Sequence, residues 1–150
     1  MTEVSFYHLQ RTGLETALPK LLEKALDRGL RAVVVAGSDD RVAVLDNALW
    51  TYGQGTFLPH GTAADAFRDR QPVYLTTEPA DRPNGATVLV LVDSVGSEEM
   101  AGMERVLHVF DGRDPEAVTL AKERWRSLAA QGHTLTYWQQ TEAGGWEKKG

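Results

Sequence analysis

The sequence contains no cysteine, and this absence excludes disulfide bonds, thiolate metal ligands and a cysteine nucleophile. It also lacks a long hydrophobic run, since no stretch approaches the roughly 20 apolar residues that span a bilayer. The opening residues MTEVSFYHLQ lack the basic region and apolar core of a secretory signal. We therefore expect a cytoplasmic protein with no membrane partner.

Motifs that bind phosphate or activate a nucleophile are also missing. Neither GxGxxG nor GxxxxGK[ST] occurs, and the apolar run RAVVVAG is followed by SDD, which places acidic residues where a phosphate needs backbone amides and neutral or basic neighbours. No serine lies in a GxSxG elbow. The sequence predicts no phosphate-binding loop, no cofactor and no catalytic constellation.

Histidines are few and scattered. His8, His60, His108 and His133 fall in different predicted elements, without the HxxxH or HExxH spacing that brings two imidazoles to one metal ion. We expect structural histidines and no metal site.

The apolar residues recur with alternating strand and helix periods. Because strands alternate with amphipathic helices, we expect one domain over residues 1–150, a three-layer α/β Rossmann-like fold with a mostly parallel sheet. The two adjacent strands between residues 72 and 93 are candidates for a mixed portion, and residues 57–71 have loop composition. The expected strands span 3–9, 31–37, 72–77, 87–93, 105–111 and 133–140, and the expected helices span 14–29, 38–53 and 114–132.

Helix boundaries are marked by a few residues of special conformation. Asp114 followed by Pro115 predicts a helix start, and Gly29 and Gly132 predict helix ends. Pro19 lies inside an otherwise helical pattern, so the first helix is expected to begin near it or to kink there.

Positive charge is concentrated near the end of an acidic chain. The formal net charge is −5, yet residues 120–150 hold five Lys and Arg against three Asp and Glu. The total argues against a surface that tracks nucleic acid over its whole extent. The basic character is local.

The last predicted helix combines cations with an aromatic ring. Lys122 and Arg126 are four residues apart and share a helix face, with Trp125 beside them. Such a group suits an acidic peptide that also carries an apolar residue. The alternative is that Trp125 packs on the sheet while the charged residues are solvated.

A second apolar group falls in a segment with loop composition. Trp50 ends a helix whose core stripe is already filled, and Phe57, Leu58 and Pro59 follow shortly after. Apolar residues in a loop indicate either a contact surface or a small cluster tucked under the loop.

Three segments, FYHL, LDNALW…FLPHG and AKERWR…GHTLTYWQQTEAGGWEKK, resemble the chi subunit of bacterial DNA polymerase III, part of the clamp-loader assembly. The similarity runs the length of the chain. It implies a non-catalytic adaptor of the holoenzyme that links the clamp loader to the acidic C-terminal tail of single-stranded DNA-binding protein during DNA replication. The clamp-loader link would be made through the psi subunit or an equivalent partner, and contact with nucleic acid would be indirect.

The resemblance also implies two sets of binding residues. Val118, one turn before the first tail-binding residue, departs from relatives that carry lysine there, so a thinner basic rim is expected. The tail-binding set is Lys122, Trp125, Arg126 and Tyr137, and the set facing the clamp-loader partner is Trp50, Phe57, Leu58, Pro59 and His60.

Two rival functions stay open at this point. A direct binder of single-stranded nucleic acid would stack bases on Trp125, Tyr137, Trp138 and Trp146. A small nucleotide-dependent enzyme would require a phosphate loop that the sequence does not show.

Overall fold

The computed structural model describes residues 3–10, 12–50, 60–62, 71–78, 84–93, 103–142 and 145–149. None of the helices in these ranges is long and apolar enough to cross a membrane. In chain order the elements are β1 (Glu3–Leu9), α1 (Leu14–Asp27), β2 (Ala32–Val35), α2 (Asp39–Trp50), β3 (His60–Thr62), β4 (Val73–Thr76), β5 (Val88–Leu91), β6 (Arg105–Asp111), α3 (Pro115–Ala130), β7 (Thr134–Gln140) and β8 (Trp146–Lys148).

The strands form one sheet in the order β3-β4-β2-β5-β6-β1-β7-β8. Every described pairing is parallel except that of β7 with β8. The mostly parallel sheet is confirmed, but the mixed portion is not where the sequence suggested. Both β4 and β5 pair with β2 in parallel, because each is buried along its whole length and so belongs in the covered interior of the sheet.

The helices cover both faces of the sheet, which confirms the three-layer α/β class. Ala32 and Val34 of β2 pack in the cluster that holds the leucines of α1 and α2, whereas Val33 and Val35 pack in the cluster beneath α3. Because successive strand residues point to opposite faces, one short apolar strand contributes to two cores. The extent of the domain, residues 1–150, stays a prediction.

The ends of α3 match the boundaries that the sequence predicts. The Asp114 carboxylate accepts a hydrogen bond from the Glu116 backbone N–H at 3.0 Å, and Pro115 opens the helix. Gly132, with φ of 86°, follows the helix, and the His133 N–H donates to the Leu128 carbonyl. A positive φ favours glycine, so this helix has the expected stop.

The first helix ends in the same way and differs at its start. Gly29, with φ of 74°, donates its N–H to the Leu26 carbonyl. The helix begins at Leu14, five residues before Pro19, so the proline does not mark its start.

Two short strands differ from the prediction. β3 lies in a stretch expected to be loop, and β8 follows the last predicted strand. Each has three residues, too few for a period-2 pattern, and each exists through its pairing with a neighbour. β8 pairs with β7 and forms the antiparallel part of the described sheet. It lies at the edge of the sheet, and its partly or fully exposed residues suit an edge strand.

Candidate functional site

A cavity of about 320 Å³ lies between α3 and the sheet, and we call it the α3 cavity. It brings together all four residues of the predicted tail-binding set. Its lining comes from three strands, from α3 and from the residue after β8: Phe6, Phe110, Val118, Ala121, Lys122, Trp125, Arg126, Tyr137 and Lys149.

Aromatic rings form the apolar surface of the α3 cavity. Trp125 is half-buried and packs edge-on against Phe6 at 5.4 Å and Tyr137 at 6.1 Å between ring centroids. The two interpretations of Trp125 therefore hold together, since one part of the ring packs on the sheet while another lines the cavity. A ring fixed by two aromatic neighbours offers a rigid apolar contact to a ligand.

Cationic side chains surround this apolar surface. Lys122 and Arg126 are exposed and lie one turn apart on α3. Lys149 approaches from the other side, where its backbone N–H donates to the Tyr137 carbonyl at 2.7 Å. Lys149 could not be identified from the sequence, because strand alternation selects one of the two adjacent lysines only when the pairing of β7 with β8 is known.

Tyr137 is held in place by a histidine that the sequence analysis treated as an ordinary structural one. The Tyr137 hydroxyl is hydrogen-bonded to His8 Nδ1. Burial raises the pKa of Tyr137 and lowers that of His8, although Asp111 and the Gly112 backbone oppose the shift at His8. Near pH 7 the phenol is therefore protonated and the imidazole is neutral.

Val118 lies at the α3 cavity. Its side chain is partly buried and lines the α3 cavity, so this part of the lining is apolar. A lysine at this position would place a charge at the cavity itself, and valine places none.

The four aromatics of the nucleic-acid alternative lie on two faces of the sheet. Trp125 and Tyr137 face α3, whereas Trp138 stacks on Tyr7 at 6.3 Å and Trp146 meets Tyr7 edge-on at 5.0 Å. Tyr7 packs with the opposite core cluster. The sheet separates the rings, so they cannot form one continuous stacking platform.

The second predicted set falls mostly outside the described residues. Phe57, Leu58 and Pro59 lie outside them, as does the side chain of Trp50. His60 is described: its imidazole is buried, with Nε2 2.9 Å from the Asp46 carboxylate. This contact joins β3 to α2, so the buried His60 side chain holds the start of β3 against α2.

Another cavity, of about 380 Å³, opens at the carboxyl ends of the central strands, where α/β folds commonly bind ligands. Arg41 lies there, with Nε 3.1 Å from the Asp93 carboxylate and a terminal nitrogen 3.1 Å from Glu15. The hydrogen bond to Asp93 is the main reason that the pKa of Arg41 is raised. Arg41 is thus engaged by two carboxylates. Arg113, which also lines the cavity, lies 3.1 Å from the Asp111 carboxylate, so both arginines are paired and the cavity is poorly suited to a phosphate.

Within the part of the chain that the structure describes, no group of three or more His, Asp or Glu side chains could hold a metal ion. Arg41 and the carboxylates around it form ion pairs, and the His60 imidazole contacts the Asp46 carboxylate. The α3 cavity is therefore the site whose geometry most clearly offers recognition chemistry.

Comparison with known proteins gives two matches. A family model described as "DNA polymerase III chi subunit, HolC" matches residues 1–136. A protein of Rickettsia prowazekii (strain Madrid E) named "Probable DNA polymerase III subunit chi" is 29% identical over 110 residues. The aligned region covers 73% of this chain and 66% of that protein, just under two thirds of its length.

Proposed function

The chain belongs to the DNA polymerase III chi subunit family, whose members are accessory, non-catalytic subunits of that polymerase. On this premise we propose that the chain is an adaptor in DNA replication. One end of the link is the acidic C-terminal tail of single-stranded DNA-binding protein. The other end is the psi subunit or an equivalent component of the clamp loader. Contact with DNA is made through these partners.

The observation that carries the proposal is the chemistry of the α3 cavity. An apolar surface built on Trp125 and Tyr137 is bordered by the exposed cations Lys122 and Arg126. A peptide tail that ends in an aromatic residue with a free carboxylate matches both features. The ring would lie against Trp125 while its carboxylate contacts the lysine and the arginine.

The expected affinity suits an exchangeable link. A cavity of about 320 Å³ accommodates only a few residues, and its cations are exposed to solvent, so each contact should be weak and sensitive to salt. Many copies of the tail on one coated strand would provide avidity while each individual link could still dissociate.

The clamp-loader surface is proposed from the family resemblance and centres on Trp50, Phe57, Leu58 and Pro59. The buried contact between His60 and Asp46 supports it indirectly, because it fixes the chain where that segment enters β3. We assign His60 a positioning role within this surface.

The test is isothermal titration of the purified protein with an acidic peptide ending in Asp-Ile-Pro-Phe. We expect binding that is lost when the final Phe is removed and that weakens at raised salt. Lys122→Ala or Arg126→Ala should each weaken binding by about tenfold, as expected for a charge-assisted hydrogen bond. Lys20→Ala is the matched control, since Lys20 is exposed on α1 across the sheet.

Equal binding of the peptides with and without Phe would contradict the proposal. So would loss of the native circular dichroism spectrum in the Lys122 and Arg126 variants, because those residues would then be structural. A single-stranded oligonucleotide serves as a further ligand and should not bind. Tight oligonucleotide binding by the isolated protein would favour the nucleic-acid alternative.

A further inference from the structure

The hairpin formed by β7 and β8 brings to the α3 cavity a cation that lies outside the family match. Lys149 lines the cavity, whereas the matched region ends at residue 136. Among the described lining residues, Lys149 is thus the cation that comes from the hairpin and not from α3.

The backbone of the hairpin determines which of two adjacent lysines faces the cavity. Lys148 pairs with Trp138, which stacks on Tyr7 at the opposite face of the sheet. Lys149 is one residue further on, and its N–H donates to the Tyr137 carbonyl. Because strand residues alternate between faces, Lys149 points to the side of Tyr137 and Lys148 points away from it.

An aromatic contact on the far side anchors the hairpin. Trp146 is partly buried and meets Tyr7 edge-on at 5.0 Å, while its backbone pairs with Gln140. Gln140 is itself buried and hydrogen-bonded to the backbone N–H groups of Gln10 and Thr12. The backbone that carries Lys149 is therefore fixed to the body of the sheet.

A carboxylate of the same hairpin forms an ion pair with Lys149. Its Nζ lies 3.3 Å from Glu147 Oε1, and both side chains are substantially exposed. Exposed ion pairs of this kind contribute little to stability, so an incoming carboxylate can displace Glu147 at small cost.

We propose that Lys149 is a specificity-determining contact for the acidic peptide, and that Glu147 is the carboxylate that the peptide replaces. This inference rests on the proposed function and deepens it. Lys149 would supply from the hairpin a positive charge that α3 lacks at Val118. The ligand remains an acidic peptide with an apolar end, now contacted by cations from two sides of the α3 cavity.

The test compares Lys149→Met with Lys148→Met, since methionine keeps the unbranched stem and removes the charge. Titration at low salt with the peptide ending in Asp-Ile-Pro-Phe should show about threefold weaker binding for Lys149→Met than for the wild type. The control Lys148→Met should bind as tightly as the wild type. Glu147→Gln should bind about twofold tighter, because the competing carboxylate is gone. At about 0.5 M NaCl the differences should disappear through screening.

The outcomes separate the two proposals. If the wild-type protein binds the peptide and Lys122→Ala binds it about tenfold more weakly, while Lys149→Met matches Lys148→Met, the hairpin inference is wrong and the proposed function stands. If the wild-type protein does not bind at all, both are overturned.

Discussion

At the scale of single residues, His108 shows how burial turns a titratable side chain into a core residue. Its ring stacks on Phe6 at 4.7 Å between centroids, and the side chain is 7% exposed. Burial, assisted by the positive charge of Arg124, lowers its pKa from 6.5 to about 4. The imidazole is thus neutral in the folded protein above about pH 4.

This shift predicts a pH dependence of stability. As the pH falls below 6.5, His108 gains a proton in the unfolded chain but not in the folded one, so the free energy of unfolding decreases until the pH reaches about 4. The slope is at most about 1.4 kcal/mol per pH unit. His108→Leu, close in volume, should flatten this part of the profile.

The measurement is urea unfolding of both proteins at several pH values between 4 and 7. The difference between the two curves isolates His108 from the carboxylates that titrate in the same range. Parallel curves for the variant and the wild type would show that His108 is not the group responsible.

At the scale of elements, the turn from β6 into α3 supports one wall of the α3 cavity, because it contacts His8 and His8 is hydrogen-bonded to the lining residue Tyr137. Gly112 donates its N–H to the Leu9 carbonyl at 2.8 Å and lies against the His8 ring. A Cβ at this position would be 2.6 Å from that carbonyl and would overlap the imidazole. Glycine is required by close approach here, and the contact passes through His8 to the Tyr137 hydroxyl.

Gly112→Ala should therefore affect both stability and binding. Forcing a methyl group into this contact should reduce the free energy of unfolding by about 2 kcal/mol and shift His8 and Tyr137, which weakens peptide binding. Gly145→Ala is the matched control, because a Cβ there would meet Thr141 at an ordinary 3.5 Å. Urea unfolding and titration would contradict the argument if both variants behaved alike.

At the scale of the whole molecule, the α3 cavity and His60 lie at different parts of the sheet. The α3 cavity rests on β6, β1 and β7, whereas His60 begins β3 at the far edge. Five strand spacings separate β3 from β1, a distance of about 24 Å. Within the described residues, His60 is therefore remote from the α3 cavity.

Trp50→Ala should consequently impair binding of the clamp-loader partner and leave binding of the acidic peptide intact. It should release the clamp-loader partner in a pull-down while the affinity for the acidic peptide stays within about twofold of the wild type, since distant sites contribute independently. Arg126→Ala is the reciprocal control, with peptide binding weakened about tenfold and the partner retained. An equal loss of both activities in either variant would mean that the two surfaces are coupled.

The sequence by itself determined the class of fold, the ends of α1 and α3 marked by Gly29 and Gly132, the start of α3, and the family. Apolar runs such as that of β2, together with Asp114, Gly29 and Gly132, act through local backbone preferences and periodicity, which are visible without any tertiary contact. The segments that resemble the chi family are also stretches of contiguous residues, so they could be recognised directly.

Only the tertiary structure decided which side chains meet. The sequence could not show that Lys149 lies beside residues from α3 or that His8 holds Tyr137. Both depend on strand order and pairing register, and the contact between His8 and Tyr137 joins residues more than 100 positions apart. Local patterns carry no information on that register, because a shift of one residue exchanges the faces of a whole strand.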